Sequence, residues 1–218
     1  MRASKHVAIC IVLAAITLSS LLLFNGDHRD VVVVAYEPLV QSTPPMTHAE
    51  RSNRIRGAIL DLAAKHRTFG DRERLRQLAD TIYHESRAES LDPLLVAAII
   101  SMESSFRPAV VSEAGAVGLM QLRPFVARDV AERNDLLWSG EITLVEPNQN
   151  VRLGVRYYRE LVDRFQGDER LALIAYNRGP TRLRTQMRNS GTDVASSYAE
   201  NVLRLYQQLC EDCGLLQA

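Results

Sequence analysis

The sequence DPLLVAAIISME, residues 92–103, decides the fold class of this chain. Asp92 is a favoured helix N-cap and Pro93 suits the first helical position, so a helix begins here. At about 100° per residue, Val96, Ile100 and Glu103 fall on one face of that helix. The stretch therefore predicts a core helix with a carboxylate at the end of its apolar stripe.

Glu103 is an unusual residue for a core-facing stripe, because burying an ionised carboxylate costs several kcal/mol. Burial raises the pKa of a carboxyl group, which can then donate a proton near neutral pH. In the alternative interpretation, Glu103 lies near the helix end and simply turns to solvent. Periodicity alone favours that alternative, so the flanking motifs have to decide between the two.

Apolar residues recur with a period of about 3.6 on both sides of this stretch. Further helices are predicted at residues 55–63, 75–83, 124–134, 150–165, 169–177 and 194–209. Gly70-Asp71 separates the first two of these helices. The region contains no convincing alternation of period two. We therefore predict one mainly α domain at residues 54–218.

Residues 7–24 form a run of eighteen residues without a charge, preceded by Arg2 and Lys5. A helix of that length rises about 27 Å, close to the hydrocarbon thickness of a bilayer. We expect residues 1–30 to form a cytoplasmic tip and a transmembrane signal-anchor helix at 7–24. The alternative is a cleaved signal peptide, for which Val33-Val34-Ala35 is a tolerable site. In both cases the remainder of the chain is exported.

Residues 31–53 are predicted to be a linker or stalk. The segment begins with a short β-prone run at residues 31–34 and continues into Gln-Ser-Thr-Pro-Pro. Pro44-Pro45 blocks a helix there, and no helical period is visible before residue 55. We expect the folded domain to begin after this segment.

Composition and residue spacing argue against several classes of function. The 26 basic residues balance 26 acidic ones, so no nucleic-acid partner is expected. His66 and His84 lie far from the other motifs in the sequence, and no metal-ligand spacing occurs, so neither metal nor other cofactor is expected. Cys210 and Cys213 form either a short-loop disulfide or two free thiols. Cys10 lies within the apolar run.

Two motifs after the first helix combine small, aromatic and amide residues. Ser112 is followed by GAVGLMQ at residues 115–121, whose small residues allow close backbone approach. AYNRGP at residues 175–180 places an aromatic ring and an amide beside a Gly-Pro helix end. Sugar sites use aromatic faces for C–H groups and planar amides for hydroxyl and N-acetyl groups. Taken singly, Met120 and Tyr176 are equally typical of core packing.

The ordered combination of motifs resembles the lysozyme-like catalytic domain of SLT-type lytic transglycosylases, which are related to goose-type lysozyme. The resemblance covers residues 75–207. It rests on ESSF at 103–106, Ser112, GAVGLMQ at 115–121, Pro147-x-x-Asn150 with Gly154 and Tyr157, and AYNRGP at 175–180. It implies a lysozyme-like α-helical domain, here preceded by the expected transmembrane anchor.

The resemblance implies that Glu103 protonates the oxygen between N-acetylmuramic acid and N-acetylglucosamine in peptidoglycan. Glu103 then accepts the proton of the muramyl 6-hydroxyl, which attacks the anomeric carbon and leaves a 1,6-anhydro end. An intramolecular nucleophile makes a second carboxylate dispensable. The residues implied to line the sugar subsites, or in the last case to lie near Glu103, are Ser112, Met120, Gln121, Tyr176, Asn177 and Tyr198.

The sequence departs from the family pattern at two positions that bear on substrate contacts. The family usually has a small residue where Arg178 stands and an apolar residue where Arg123 stands. Neither departure touches the expected acid. Glu113 is interpreted as an exposed loop carboxylate. The arginine-rich segments are interpreted as solvated helix faces, with a wall-polymer-binding patch as the alternative, and lie at residues 51–56, 72–76 and 182–188.

Two further functions remain open on the sequence alone. In the first, water attacks instead of the muramyl hydroxyl, as in a hydrolytic goose-type muramidase. In the second, the domain is a non-catalytic peptidoglycan-binding module of an envelope complex. The expected location is the periplasm, with attachment to the inner membrane through residues 7–24, or free in the periplasm if the segment is cleaved.

Overall fold

The computed structural model describes residues 46–66, 71–191 and 194–215, and the backbone alone of residues 20–23, 32–35 and 190. Within these residues nine segments are helical, which confirms the predicted mainly α fold. The helices are α1 (His48–Lys65), α2 (Arg72–Ala88), α3 (Pro93–Ser104), α4 (Pro124–Arg133), α5 (Ile142–Val145), α6 (Pro147–Arg164), α7 (Glu169–Arg178), α8 (Pro180–Ser190) and α9 (Ser197–Asp212).

Helix α3 is the centre of the core, as its sequence predicts. It packs against α1, α2 and α9, and every residue from Leu94 to Ile100 is fully buried. A helix that is apolar on all sides has to be covered on all sides. Asp92 caps α3 by accepting from Leu94 N at 2.8 Å. Its second carboxylate oxygen accepts from Tyr206 of α9 at 3.0 Å, which ties the helix start to the last helix.

Helix α1 begins earlier than the sequence predicts, inside the segment assigned to the linker. Thr47 and Glu50 form a capping box, with Glu50 N donating to Thr47 Oγ1 at 3.2 Å and Thr47 N to Glu50 Oε2 at 2.8 Å. The first two turns contain no buried apolar residue before Ile55. Periodicity could not detect this part of the helix, because a capping box needs no apolar stripe.

Helices α5 and α8 were not among the predicted helix ranges. Helix α5 is a single turn, and Leu183 is the one fully buried side chain among those described in α8. A helix with so little buried surface has no apolar stripe for a periodicity search to find. Residues 182–188, interpreted from the sequence as a solvated helix face, lie within α8.

The N-terminal unit, Met1–Pro45, is described only by two strands. Strands β1 (Ser20–Leu23) and β2 (Val32–Ala35) pair antiparallel, with Ser20 opposite Ala35 and Leu23 opposite Val32. Residues 20–23 are the part of the predicted anchor helix, 7–24, that the structure describes, and the prediction is wrong there because they form a strand. A short apolar run suits a strand as well as a helix, and the β-branched run at residues 32–34 supplies a pairing partner.

Residues 7–19 of the predicted anchor, together with Cys10, lie outside the described residues. Among the helices that are described, none is both long and apolar enough to cross a bilayer. The structure shows Cys210 and Cys213 as free, buried thiols, which is one of the two states that the sequence left open.

The domain at residues 46–215 contains two buried apolar clusters. The larger surrounds α3, and the smaller lies between α4, α5 and the loop that follows α3. Tyr157 of α6 and Tyr176 of α7 pack against both clusters. The two tyrosines therefore mark the junction at which the functional side chains gather.

Candidate active site

Glu103 lies in the last turn of α3, where the chain turns sharply. Ser105 ends the helix in the left-handed region with φ 50°, and Phe106 follows with φ 56°. The side chain of Phe106 is fully buried and stacks on His66 with ring centroids 5.7 Å apart. His66 is distant from this motif in the sequence but supports it in the fold, and the buried ring fixes the turn that follows Glu103.

The carboxyl group of Glu103 is paired with a phenol. Tyr198 of α9 donates its hydroxyl hydrogen to Glu103 Oε1 at 2.6 Å. Within the described ranges, no arginine, lysine or histidine forms an ion pair with Glu103. Burial raises the pKa of Glu103 to about 7, and the hydrogen bond from Tyr198 opposes that rise. At neutral pH the group is thus present both as an acid and as a base.

Glu103 lies on the wall of a cleft of about 820 Å³. The other walls come from the loop after α3, the start of α4 and the junction of α7 with α8. Among the described residues that line it, Glu103 is the one acidic side chain. The volume falls within the range typical of small-molecule and oligosaccharide sites. The arrangement offers one acid–base group and no second carboxylate beside it.

The loop after α3 is held by side chains that also line the cleft. Ser112 Oγ accepts from Ala116 N at 3.0 Å and closes the tight turn at Gly115. Gln121 has φ 49°, and its amide nitrogen donates to Val110 O at 3.0 Å and to Gly118 O at 2.9 Å. These bonds fix both side chains before any ligand arrives.

Asn150 of α6 connects this loop to the helical core. Its amide is fully buried and makes three hydrogen bonds: it accepts from Met120 N at 2.7 Å and donates to the carbonyls of Val117 at 3.0 Å and Leu144 at 2.9 Å. Gly118, with φ 85°, lies directly against it, and a Cβ there would fall 2.2 Å from Asn150 Nδ2. The position therefore requires glycine.

Met120 and Tyr176 share one hydrogen bond but occupy different places. The Met120 side chain is fully buried and packs against Gly154, where a Cβ would fall 2.3 Å from Met120 Sδ. Tyr176 donates its hydroxyl hydrogen to Met120 O at 2.6 Å and contacts the ring of Tyr157 at 5.5 Å. Burial raises the pKa of Tyr176 well above its usual value. Met120 thus supports the cleft from the core, while Tyr176 is part of its wall.

The structure brings most of the predicted site residues together. The cleft wall includes Glu103, Ser112, Gln121, Tyr176 and Asn177. Tyr198 contacts Glu103 directly, and Met120 is the predicted subsite residue whose side chain does not line the cleft. Glu113 is exposed, as expected.

Several wall residues were not assigned to the site from the sequence. Tyr157 appeared there only as part of the family motif. Arg182 was interpreted as part of a solvated helix face, and Phe125 carried no signal, yet both line the cleft. In the described part of the chain, no group of three or more His, Cys, Asp or Glu side chains is arranged to hold a metal ion.

The comparisons with known proteins converge on one family. The transglycosylase SLT domain matches residues 80–198, more than half of the chain. A transglycosylase of Enterobacteria phage PRD1 is 39% identical over 100 residues, which cover 46% of this chain and 34% of that protein. An endo-type membrane-bound lytic murein transglycosylase A of Klebsiella pneumoniae is 47% identical over 74 residues, covering 32% of this chain and 36% of that protein.

A solved structure shows the same similarity in three dimensions. The lytic transglycosylase Slt of Pseudomonas aeruginosa, solved as an inactive mutant with one glutamate replaced by glutamine, aligns with a TM-score of 0.57. The two sequences are 27% identical, and the alignment covers 63% of this chain and 24% of that one. In each of these comparisons the aligned part spans roughly a third of the relative or less.

Proposed function

The chain belongs to the transglycosylase SLT domain family, and on that premise we propose that it is a lytic transglycosylase acting on bacterial peptidoglycan. The bond cleaved is the β-1,4 linkage between N-acetylmuramic acid and N-acetylglucosamine. The product is a glycan end closed as 1,6-anhydro-N-acetylmuramic acid. The observation that carries the proposal is Glu103, the one carboxylate among the described cleft residues, with its pKa raised to about 7.

In the first step Glu103 acts as the acid. Its proton passes to the glycosidic oxygen, the bond from that oxygen to the anomeric carbon breaks, and the N-acetylglucosamine side leaves as an alcohol. Positive charge then develops on the sugar ring, and the new carboxylate of Glu103 lies beside it. The hydrogen bond from Tyr198 stabilises this ionised state of Glu103.

In the second step the same carboxylate acts as the base. It takes the proton of the muramyl 6-hydroxyl while that oxygen forms a bond to the anomeric carbon. Glu103 ends protonated, as it began. The reaction therefore consumes no water and requires no second carboxylate. The absence of another acidic side chain among the described cleft residues supports this intramolecular route over activation of water.

Sugar binding is assigned to the side chains around Glu103. Tyr176 and Tyr157 offer aromatic surface for sugar C–H groups. Ser112, Gln121 and Asn177 offer hydroxyl and amide groups for the N-acetyl and hydroxyl substituents. Met120, which we expected at a subsite, contributes through its carbonyl by holding Tyr176.

We also propose that the domain works in the periplasm, where peptidoglycan lies. The support is the apolar run at residues 7–24 with Arg2 and Lys5 before it, which is typical of an export signal. A reporter enzyme that is active only after export, fused after residue 218, tests this. Reporter activity lost when residues 7–24 are deleted supports export, and activity unchanged by the deletion contradicts it.

The reaction is tested by digesting purified peptidoglycan sacculi with the full chain and analysing the released fragments by mass spectrometry. We expect fragments ending in 1,6-anhydro-N-acetylmuramic acid. Fragments with reducing ends would replace the proposal with a hydrolytic muramidase. Binding to sacculi without released fragments would replace it with a non-catalytic binding module.

A further inference from the structure

Among its described residues, the cleft wall carries three arginines beside one carboxylate. Arg123 comes from the start of α4, Arg178 from the end of α7 and Arg182 from the first turn of α8. The chain as a whole has 26 basic and 26 acidic residues, so this excess of positive charge is local to the cleft. None of the three forms an ion pair with any carboxylate that the structure describes.

Arg178 is held in place by neutral groups. Its two terminal nitrogens donate to the carbonyl oxygen of Ala195 at 2.9 Å and to Gln186 Oε1 at 3.3 Å. These bonds orient the guanidinium group but do not neutralise its charge. A guanidinium fixed in this way loses less conformational entropy when it binds a carboxylate.

Arg123 is positioned by an aromatic ring. Its guanidinium carbon lies 5.2 Å from the ring centre of Phe125, which is 54% exposed on the same wall. Several arginines elsewhere in the domain have acidic partners, such as Arg133 with Glu160 at 2.8 Å and Arg152 with Glu85 at 2.8 Å. The cleft arginines thus differ from these in having uncompensated charge that faces the place where a ligand would bind.

The cleft arginines do not set the pKa of Glu103. The pKa of Glu103 is raised by burial and lowered only by the hydrogen bond from Tyr198, and no arginine contributes to it. A charge close to the carboxylate would hold its pKa down and reduce the fraction able to donate a proton. The charge of the arginines is therefore available to a ligand bound in the cleft.

We propose that Arg123 and Arg178, with Arg182 beside them, bind carboxylates carried by the muramic acid residues of the strand. Two sources share this chemistry: the lactyl carboxylate of a strand without peptides, and the carboxylates of an attached stem peptide. Arginine suits both, because its planar fork forms two parallel hydrogen bonds to one carboxylate. The inference rests on the proposed function and narrows the substrate to strands that bear acidic groups.

The test compares Arg123→Gln, Arg178→Gln and the matched control Arg204→Gln in the full chain. Arg204 is an exposed arginine of α9 that bonds only to Asn201 and does not line the cleft. KM and kcat are measured on peptide-free strands, on peptide-bearing strands and on the same strands after their carboxylates are converted to neutral amides. Thermal unfolding of each variant confirms that it is folded.

Each cleft variant is expected to raise KM about tenfold on strands with free carboxylates, with kcat changed by less than about twofold, since a charged hydrogen bond is lost from binding. The control keeps the wild-type KM. On neutralised strands, the wild type is expected to show the same raised KM as the variants. An effect confined to peptide-free strands identifies the lactyl carboxylate, and one confined to peptide-bearing strands identifies the stem peptide.

The inference is overturned if both cleft variants keep the wild-type KM on acidic strands, or if neutralising the carboxylates leaves the wild-type KM unchanged. Failure of the proposed function looks different, because the wild type then releases either no fragments or only fragments with reducing ends. In that case equilibrium binding of the three strand types to the wild type and variants still decides whether the arginines recognise carboxylates.

Discussion

Partly buried glutamates of two neighbouring core helices have different partners. Glu85 on α2 and Glu89 at its C-cap have side chains that are each 15% exposed, and α6 supplies an arginine to each, Arg152 and Arg156. On α3, Glu103 is also partly buried, but α9 supplies Tyr198 and no cation. The three carboxylates are of one residue type, and the partner from the facing helix is what differs.

The difference separates a structural role from a chemical one. An arginine partner forms an ion pair with the carboxylate, and the pair connects α2 to α6. A tyrosine partner donates one hydrogen bond but leaves the desolvation of the carboxylate uncompensated, so the pKa of Glu103 rises to about 7. Glu103 therefore lowers the stability of the folded state in exchange for reactivity at neutral pH.

The largest expected effect is the loss of turnover when Glu103 is replaced. Glu103→Gln should slow the release of peptidoglycan fragments by roughly a thousandfold, because the amide can neither donate nor accept the transferred proton. Glu113→Gln, at an exposed loop carboxylate that does not line the cleft, is the control and should retain activity. Wild-type turnover in Glu103→Gln would mean that another group is the acid.

The same substitution should increase stability, and only at higher pH. The pKa of Glu103 is about 7 in the folded chain against 4.5 for an unperturbed glutamate, so the folded state binds more protons between these values and loses stability as pH rises through them. The glutamine of Glu103→Gln does not titrate. The unfolding free energy of this variant should therefore exceed that of the wild type by up to about 3 kcal/mol near pH 8 and by almost nothing near pH 4. Urea denaturation at both pH values measures the difference, and a pH-independent gain would contradict this account.

The opposite sign is expected on α2. Glu89→Gln should lower the unfolding free energy by about 1 kcal/mol near neutral pH, because it removes the partner of Arg156, which is only partly exposed. Glu73→Gln is the matched control, since its pair with Arg76 is largely exposed on both sides and should contribute little. Equal effects of the two substitutions would show that burial of the pair does not matter.

The smallest expected effect is on the pH dependence of the rate. Tyr198→Phe removes the hydrogen bond that opposes burial, so the pKa of Glu103 should rise further. Because Glu103 must start protonated, activity is lost as pH rises through its pKa, and this limb of the kcat profile should move to higher pH. Tyr206→Phe removes a similar bond to Asp92, far from the cleft, and should leave the limb in place. A limb that moves to lower pH in Tyr198→Phe would show that Tyr198 acts differently.

The sequence was sufficient to predict the structure where the deciding residues are close together in the chain or belong to a family motif. Asp92-Pro93 and the apolar stripe of α3 predicted the core helix and placed Glu103 at its end. The family resemblance implied that Ser112, Gln121 and Asn177 line the same site, and all three are cleft residues. Residue periodicity was insufficient where a partner lies far along the chain, and only the family resemblance implied that Tyr198 lies near Glu103. Tyr198 is 95 residues from Glu103, and their bond depends on how α9 packs on α3. Periodicity carries no information on such a pairing.

Two further features show why the remaining predictions failed. Helix α8 buries little apolar surface, so its arginines were interpreted as a solvated helix face, although Arg182 lines the cleft. Strand β1 pairs with a second apolar run, β2. The hydrophobicity of residues 7–24 taken alone gives no information about that partner. In both cases the deciding feature lies outside the segment whose pattern was read.

The contacts of Gly118 with Asn150 and of Gly154 with Met120 have a consequence for protein engineering. Both glycines are in contact with a side chain that leaves no room for a methyl group, so substitutions there require compensating changes elsewhere. Arg123 and Arg178, by contrast, lie at helix ends on the rim of the cleft. A library directed at these rim positions can alter which strands are accepted while the supporting scaffold stays constant, so substrate preference and foldability can be evolved separately.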